Sequence, residues 1–240
     1  MTYRGVDIKR SWDANAQLWS DAVRQKNIPS RTTGTDRFII EAVKRLKPKS
    51  VIDIGCGEGW LVRQLSEDAF CLVTGIDGCE RLIENAQSEH PNGHYFVRDY
   101  EALALQPEAM KGPYDVAVCN FSLLDKNLTP LLSAIRHNLN ANGSLLIQTL
   151  HPCSSKRNEP SQDGWQSEDF KSLGSDSWHE MPWYFRTLTR WEQTLACAGF
   201  SMTASDGPLD PKTRTPLSIL FHCVLNERAP TNPSSAKAQA

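Results

Sequence analysis

The nine residues Asp53-Ile54-Gly55-Cys56-Gly57-Glu58-Gly59-Trp60-Leu61 set three glycines at alternate positions behind an acidic residue, after the apolar pair Val51-Ile52 and before a helical pattern. Glycine reaches positive φ and lets backbone approach a ligand closely, and a helix starting at such a turn directs free N–H groups at bound acceptors. The chain is therefore expected to turn sharply at a strand end and to hold a nucleoside cofactor there. The spacing is G-x-G-x-G, which departs from the G-x-G-x-x-G of dinucleotide folds.

Around this turn, strand and helix patterns alternate. Trp12, Ala16, Trp19 and Val23 recur at helical spacing, as do Phe38, Ile39, Val43 and Leu46, so two helices are expected before the first strand. Then come Val51–Ile54, a helix from about Gly59 to Ser66, Cys71–Ile76, a helix near Glu80–Glu89, His94–Val97, Tyr114–Cys119, a helix through Leu131 and Ile135 stopped by Asn142-Gly143, and Ser144–Thr149. Such alternation implies right-handed crossovers and a mostly parallel, doubly wound α/β sheet. Residues 151 to about 186 lose periodicity, hold three of the seven tryptophans, and read as a long functional loop. Leu188–Ala198 reads as a helix ended by Gly199, and Phe200–Ala204 with Ser218–Leu225 as an antiparallel hairpin.

Chemistry-bearing residues fall at four consecutive strand ends, where open α/β sheets bind ligands. After the glycine turn, Asp77 ends the second strand, 22 residues beyond Gly55, placed to accept from two ribose hydroxyls. Asp99, in Val97-Arg98-Asp99-Tyr100, suits an exocyclic adenine amine, and Asn120 in Val118-Cys119-Asn120-Phe121 a polar cofactor group. Taken singly, each has another reading: a plain strand-to-helix turn, an N-cap for Asp77, a solvated loop carboxylate for Asp99, a turn residue for Asn120. Their joint register with four strands favours the cofactor reading.

On these residues the chain resembles the class I S-adenosylmethionine-dependent methyltransferases that act on small molecules, over roughly residues 35 to 226. The glycine motif corresponds to Asp53, Gly55, Cys56, Gly57 and Gly59, the ribose-binding acid to Asp77, the adenine-binding acid to Asp99, and the segment after the fourth strand to Asn120-Phe121-Ser122-Leu123. Trp60, Gly78, Tyr100 and Phe121 complete the expected cofactor set. The resemblance implies a seven-stranded sheet with the last strand antiparallel, S-adenosyl-L-methionine as cofactor and S-adenosyl-L-homocysteine as product. It also divides the chain into a helical segment at 1–34, a methyltransferase domain at 35–226 with an aromatic-rich insertion at about 151–186, and a disordered tail at 227–240.

A sulfonium methyl is already electrophilic, so the protein's main task is positioning donor and acceptor. A protonated acceptor also needs a general base. His151, just past the fifth strand, is the first candidate and His179 the second, with a satisfied or exposed loop histidine as the alternative for each. Trp165, Phe170, Trp178, Trp183, Tyr184 and Phe185 form a candidate lid, of which Trp178, Trp183, Tyr184 and Phe185 are the expected substrate contacts. Trp12 and Trp19 read as an ordinary core face, with closure of the amino-terminal helix over the cofactor as the alternative. Arg186 is expected in a surface or structural ion pair, with a substrate carboxylate as the alternative partner. His151, Cys153, His179 and Glu180 lack the spacing of a zinc site, and no metal is expected.

Composition narrows the partners. Formal net charge is −2 and no basic stripe runs along the chain, so neither nucleic acid nor an anionic membrane is expected as partner. No segment approaches the roughly 18 apolar residues of a membrane span, the start lacks a signal-peptide pattern, and the seven cysteines form no C-x-x-C pair, which reads as a cytoplasmic protein. The leading expectation is methyl transfer to an O or N atom of a small metabolite. The alternatives are a non-catalytic S-adenosylmethionine-binding module, a protein or nucleic-acid methyltransferase, and, less well matched, a nicotinamide oxidoreductase.

Overall fold

The computed structural model describes residues 5–67, 71–151, 162–174 and 177–226. Two helices, α1 (Gly5–Arg24) and α2 (Asp36–Arg45), precede β1 (Ser50–Ile54), α3 (Trp60–Ser66), β2 (Leu72–Asp77), α4 (Glu80–Glu89), β3 (His94–Val97), α5 (Tyr100–Leu105), β4 (Tyr114–Asn120), α6 (Thr129–His137) and β5 (Leu139–Thr149). A hairpin of β6 (Gly164–Glu168) and β7 (Met181–Phe185) follows, then α7 (Leu188–Cys197), β8 (Phe200–Asp206) and β9 (Ile219–Leu225).

The main sheet has seven strands in the order β3-β2-β1-β4-β5-β9-β8. Strands β1 to β5 run parallel, whereas β9 is antiparallel to both β5 and β8, as expected for the last strand. Its central strands β1 and β4 are buried on both faces, and successive side chains alternate between two cores. Ile52, Ile54, Ala117, Cys119, Leu145 and Ile147 pack with α5, α6 and α7, while Val51, Val116, Val118 and Leu146 face α2, α3 and α4. No helix among the described residues is long and apolar enough to cross a membrane.

Three local expectations are corrected. The segment 151–186 is not structureless throughout: Gly164–Glu168 and Met181–Phe185 pair antiparallel, with Trp165 opposite Tyr184. Asn142-Gly143 does not stop a helix. Helix α6 ends at His137, and the pair lies inside β5, where the register jumps from Tyr114–Leu139 to Val116–Ser144 and leaves the intervening residues of β5 as an irregularity. Helix α5 was not expected from the pattern; it starts because the Asp99 carboxylate accepts from the N–H groups of Glu101 and Ala102 at 2.8 and 3.4 Å. The expected tail at 227–240 lies outside the described residues.

Helix α1 is joined to the domain by buried polar groups. The Asn15 amide donates to the His179 carbonyl at 2.7 Å and accepts its N–H at 2.9 Å. Asn85 of α4 donates to Ser20 at 2.9 Å, and Arg24 and Arg63 both reach the buried Glu58 carboxylate, at 3.4 and 2.7 Å. At the other end of the sheet, Phe221 of β9 is fully buried with its ring 5.4 Å from that of Trp191. Phe221→Ala is expected to destabilise the fold by about 3–5 kcal/mol through lost burial and a residual cavity. A lower urea midpoint with an unchanged slope is the outcome that checks it.

Candidate active site

Between β1 and β4 the strand order reverses, and crossovers leave in opposite directions, so the carboxyl ends of these strands border a crevice. The crevice here is a cavity of about 750 Å³, within the usual range for small-molecule sites. Its floor is built from the ends of β1, β2, β3 and β4.

The Asp77 carboxylate organises that floor. One oxygen accepts the Gly57 N–H at 2.9 Å and the other the Cys79 N–H at 2.8 Å, so the turn after β1 is tied to the turn after β2. Burial pushes the Asp77 carboxyl up, while these two N–H groups and the Lys9 charge oppose that shift. Each oxygen keeps lone-pair capacity toward the cavity. Gly55 lies at φ +75°, and a Cβ there would fall 2.4 Å from both Ser122 Cβ and the Tyr100 hydroxyl, so only glycine leaves room for the close approach. Ser122 donates to the Ile54 carbonyl at 2.6 Å, fixing the segment after β4 against β1. Phe121 sits at φ +54°, a strained setting for a bulky residue, and its N–H donates to the Gln148 carbonyl at 2.8 Å.

Of the expected cofactor residues, all but Asp53 and Gly59 line the cavity. Asp53 is 2% exposed, and its Oδ1 has no hydrogen-bond partner among the described residues. Burial, then the charge of Asp77, pushes its carboxyl up to about 8. An ionised, unpartnered carboxylate in that place is strongly unfavourable. Trp60 lines the cavity beneath Arg31, whose guanidinium stands 4.3 Å from its ring centroid and is held by Asp36 at 2.9 Å.

The upper wall is aromatic. Trp183, Tyr184 and Phe185 line it as expected. Trp178 does not; its ring packs 4.8 Å from that of Phe170, which takes the lining position instead. The two histidines proposed as general bases are also absent from the wall. His179 is exposed, engaged with Asn15 through its backbone, and His151 follows Thr149 and Leu150, the two residues of that segment that do face the cavity. Trp12 and Trp19 are not simply core: both line the cavity and pack against Phe170 at 6.4 and 6.2 Å. Their helical spacing identified a buried face correctly and said nothing of what it faced. Arg186, expected in an ion pair, is 4% exposed, lines the cavity, and belongs to no ion pair among the described residues. Among the described residues no group of three His, Cys, Asp or Glu side chains is placed to hold a metal ion, and Cys153 lies outside them.

Comparison with known proteins agrees with this architecture. Residues 31–205 match the model of the family described as "Methyltransferase domain". A malonyl-[acyl-carrier protein] O-methyltransferase of Halalkalibacterium halodurans is 35% identical over 112 residues, covering 44% of this chain and 41% of that protein. A ubiquinone biosynthesis O-methyltransferase of Coxiella burnetii is 27% identical over 117 residues, covering 47% and 45%. The chain thus matches less than half the length of either relative. Among solved structures, the plantazolicin methyltransferase BpumL, crystallised with a monoazolic desmethylPZN analog and SAH, superposes with a TM-score of 0.62 at 18% identity over 93% of this chain and 96% of that one. With the methyltransferase-domain match spanning most of its length and the seven-stranded sheet carrying its glycine turn at the switch point, the chain belongs to the class I S-adenosylmethionine-dependent methyltransferases.

Proposed function

We propose that the protein transfers the methyl group of S-adenosylmethionine to an O or N atom of a small-molecule acceptor bound under the β6–β7 hairpin. The observation that carries the reading is the single cavity that joins the four strand ends to an aromatic wall: Gly55, Asp77, Asp99 and Asn120 on one side, Trp183, Tyr184 and Phe185 on the other. The O-methyltransferase names of the two relatives support oxygen as the acceptor. A binding module without catalysis has no need of a second, aromatic compartment, and this one occupies a dedicated hairpin.

The site fits the cofactor. In this reading the Asp77 carboxylate, which lines the cavity, accepts from ribose hydroxyls, and the space over Gly55 admits the cofactor close to the backbone. Once bound, the cofactor supplies an electrophilic methyl on a sulfonium. The chain's own residues then position and exclude water. Trp12, Trp19 and Phe170 cover the cavity, and confining donor and acceptor in near-attack geometry is worth on the order of 7–11 kcal/mol. In this reading residues 35–226 form the catalytic unit and α1 serves as part of its cover.

Calorimetric titration with S-adenosylmethionine, S-adenosylhomocysteine and NAD tests the proposal: the first two are expected to bind, and NAD binding without them rejects it. Asp77→Ala is expected to weaken S-adenosylhomocysteine binding by about 1–3 kcal/mol, because the ribose loses its charged acceptor and the Gly57 N–H its partner. Affinity unchanged by the substitution removes Asp77 from the site. The Asp53 carboxyl, raised to about 8, carries a proton at neutral pH in the free protein. A bound cation lowers that value, so binding below pH 8 is expected to release a proton, read as a dependence of the binding enthalpy on buffer ionisation at pH 7 that Asp53→Asn abolishes. The sign for the free protein follows from linkage: the folded value is raised above the unfolded one, so Asp53's contribution to stability is complete below the ordinary carboxylate value of 3.8 and is lost progressively as pH rises from there to about 8.

A further inference from the structure

Arg186 follows β7 directly and, among the described residues, is the one cation of the wall that forms no ion pair, since Lys9 meets Asp13 and Arg31 meets Asp36. Its guanidinium lies 5.1 Å from the ring centroids of both Tyr184 and Trp191. Nη1 donates to the Tyr184 carbonyl at 3.3 Å and Nη2 to the Asp125 carbonyl. A guanidinium has five N–H donors, so two backbone carbonyls leave three unused. The carboxylates whose fields reach it are Asp125 and Asp163, and Asp163 is already engaged by Arg190 at 2.6 Å and by Thr187 at 2.9 and 3.1 Å. Arg31, the other arginine of the wall and half-buried, has its Asp36 partner at 2.9 Å. The contrast is informative: a buried charge is retained without a counter-ion only where something supplies one.

The second observation is that none of the described residues lining the cavity is a histidine. An acceptor that arrives deprotonated has no need of an imidazole base.

We propose that Arg186 binds an anionic oxygen group of the acceptor, and that the acceptor is a small carboxylic acid, bound as its carboxylate and released as its methyl ester. This rests on the methyltransferase reading above. The guanidinium holds one carboxylate oxygen and orients the group. The other oxygen attacks the methyl carbon; an O–CH₃ bond forms as the C–S bond breaks, and the bonding pair stays on sulfur. The carboxylate's negative charge and the sulfonium's positive charge are both extinguished, and no proton is transferred. Tyr184 and Trp183 enclose the apolar remainder of the acid.

The test is calorimetric titration of the protein saturated with S-adenosylhomocysteine, using benzoate and 3-phenylpropanoate against benzamide and 3-phenylpropanamide. Each carboxylate is expected to bind at least tenfold more tightly than its amide. Arg186→Gln is expected to erase that difference while S-adenosylhomocysteine affinity stays within twofold, and Arg186→Lys to retain part of it, keeping the charge but not the planar fork. Equal binding of acid and amide, no binding of either acid, or a preference that survives in Arg186→Gln overturns the inference. The comparison in the unsubstituted protein decides it even where Arg186→Gln fails to fold. Failure of S-adenosylhomocysteine itself to bind is a separate result, and it overturns the methyltransferase reading.

Discussion

A glycine turn has no side chains with which to hold its own shape, so the geometry of this site depends on what the neighbouring strand end provides. The N–H groups of Gly55 and Cys56 both reach the Ile76 carbonyl, at 2.8 and 3.0 Å, and the Gly57 N–H reaches the Asp77 carboxylate at 2.9 Å. Two residues at the end of β2 thus shape the loop after β1. The same carboxylate accepts from Cys79 and so shapes the start of α4. Charged acceptors make the stronger hydrogen bonds, so an ionised Asp77 holds the turn more firmly than a protonated one and, in the proposed function, serves an adenosine ribose as well. Burial works against that ionisation, and the two N–H groups with Lys9, whose ammonium is pinned to the Gly78 carbonyl at 2.7 Å, offset it.

The cover over this floor is assembled differently. Helix α1 and the β6–β7 hairpin meet through aromatic edges, Trp12 and Trp19 around Phe170, each contact adding about 0.5–1.5 kcal/mol beyond area burial. The polar contacts that set their register run to backbone: Asn15 to the carbonyl and N–H of His179, Lys9 to the carbonyl of Gly78, and the Tyr184 N–H to the Leu124 carbonyl at 2.8 Å. His179 therefore earns its place through its main chain, which explains how a histidine in a functional segment can stand outside the cavity it helps to close.

The parts legible in the sequence are those with local causes. Alternation of apolar strands and amphipathic helices gave the sheet and the antiparallel last strand, and strand-end register brought Gly55, Asp77, Asp99 and Asn120 to one crevice. The hairpin was not legible because Gly164–Glu168 carries no clean alternation, being half-buried nearly throughout, and its partner lies beyond a long connection. Asn142-Gly143 carries the residue signature of a helix stop, yet the pairing of β5 with β4 absorbs it as an irregularity, a tertiary effect no local rule contains. Helical spacing buried Trp12 and Trp19 without distinguishing a packed core from a cavity wall. For Arg186 the sequence shows a cation next to an aromatic run; that no carboxylate meets it emerges only from the fold.

Part of the charge that lines the cavity follows the strand ends of the sheet. Asp77 and Asp99 stand at the ends of β2 and β3, and Arg186 is bound to the loop that leaves β4. Strands β2 and β4 are separated by β1 alone, so their ends are about 10 Å apart at the normal strand spacing. A cation is favoured on the acidic side and an anion on the other, and the low dielectric of an aromatic enclosure sharpens the difference. For the reaction proposed above, two ligands of opposite charge would be sorted to their own halves by the same field that brings them together, and their charges would be consumed in methyl transfer. The products, both neutral at the reacting atoms, lose that attraction, so the charge pattern that favours entry also favours release.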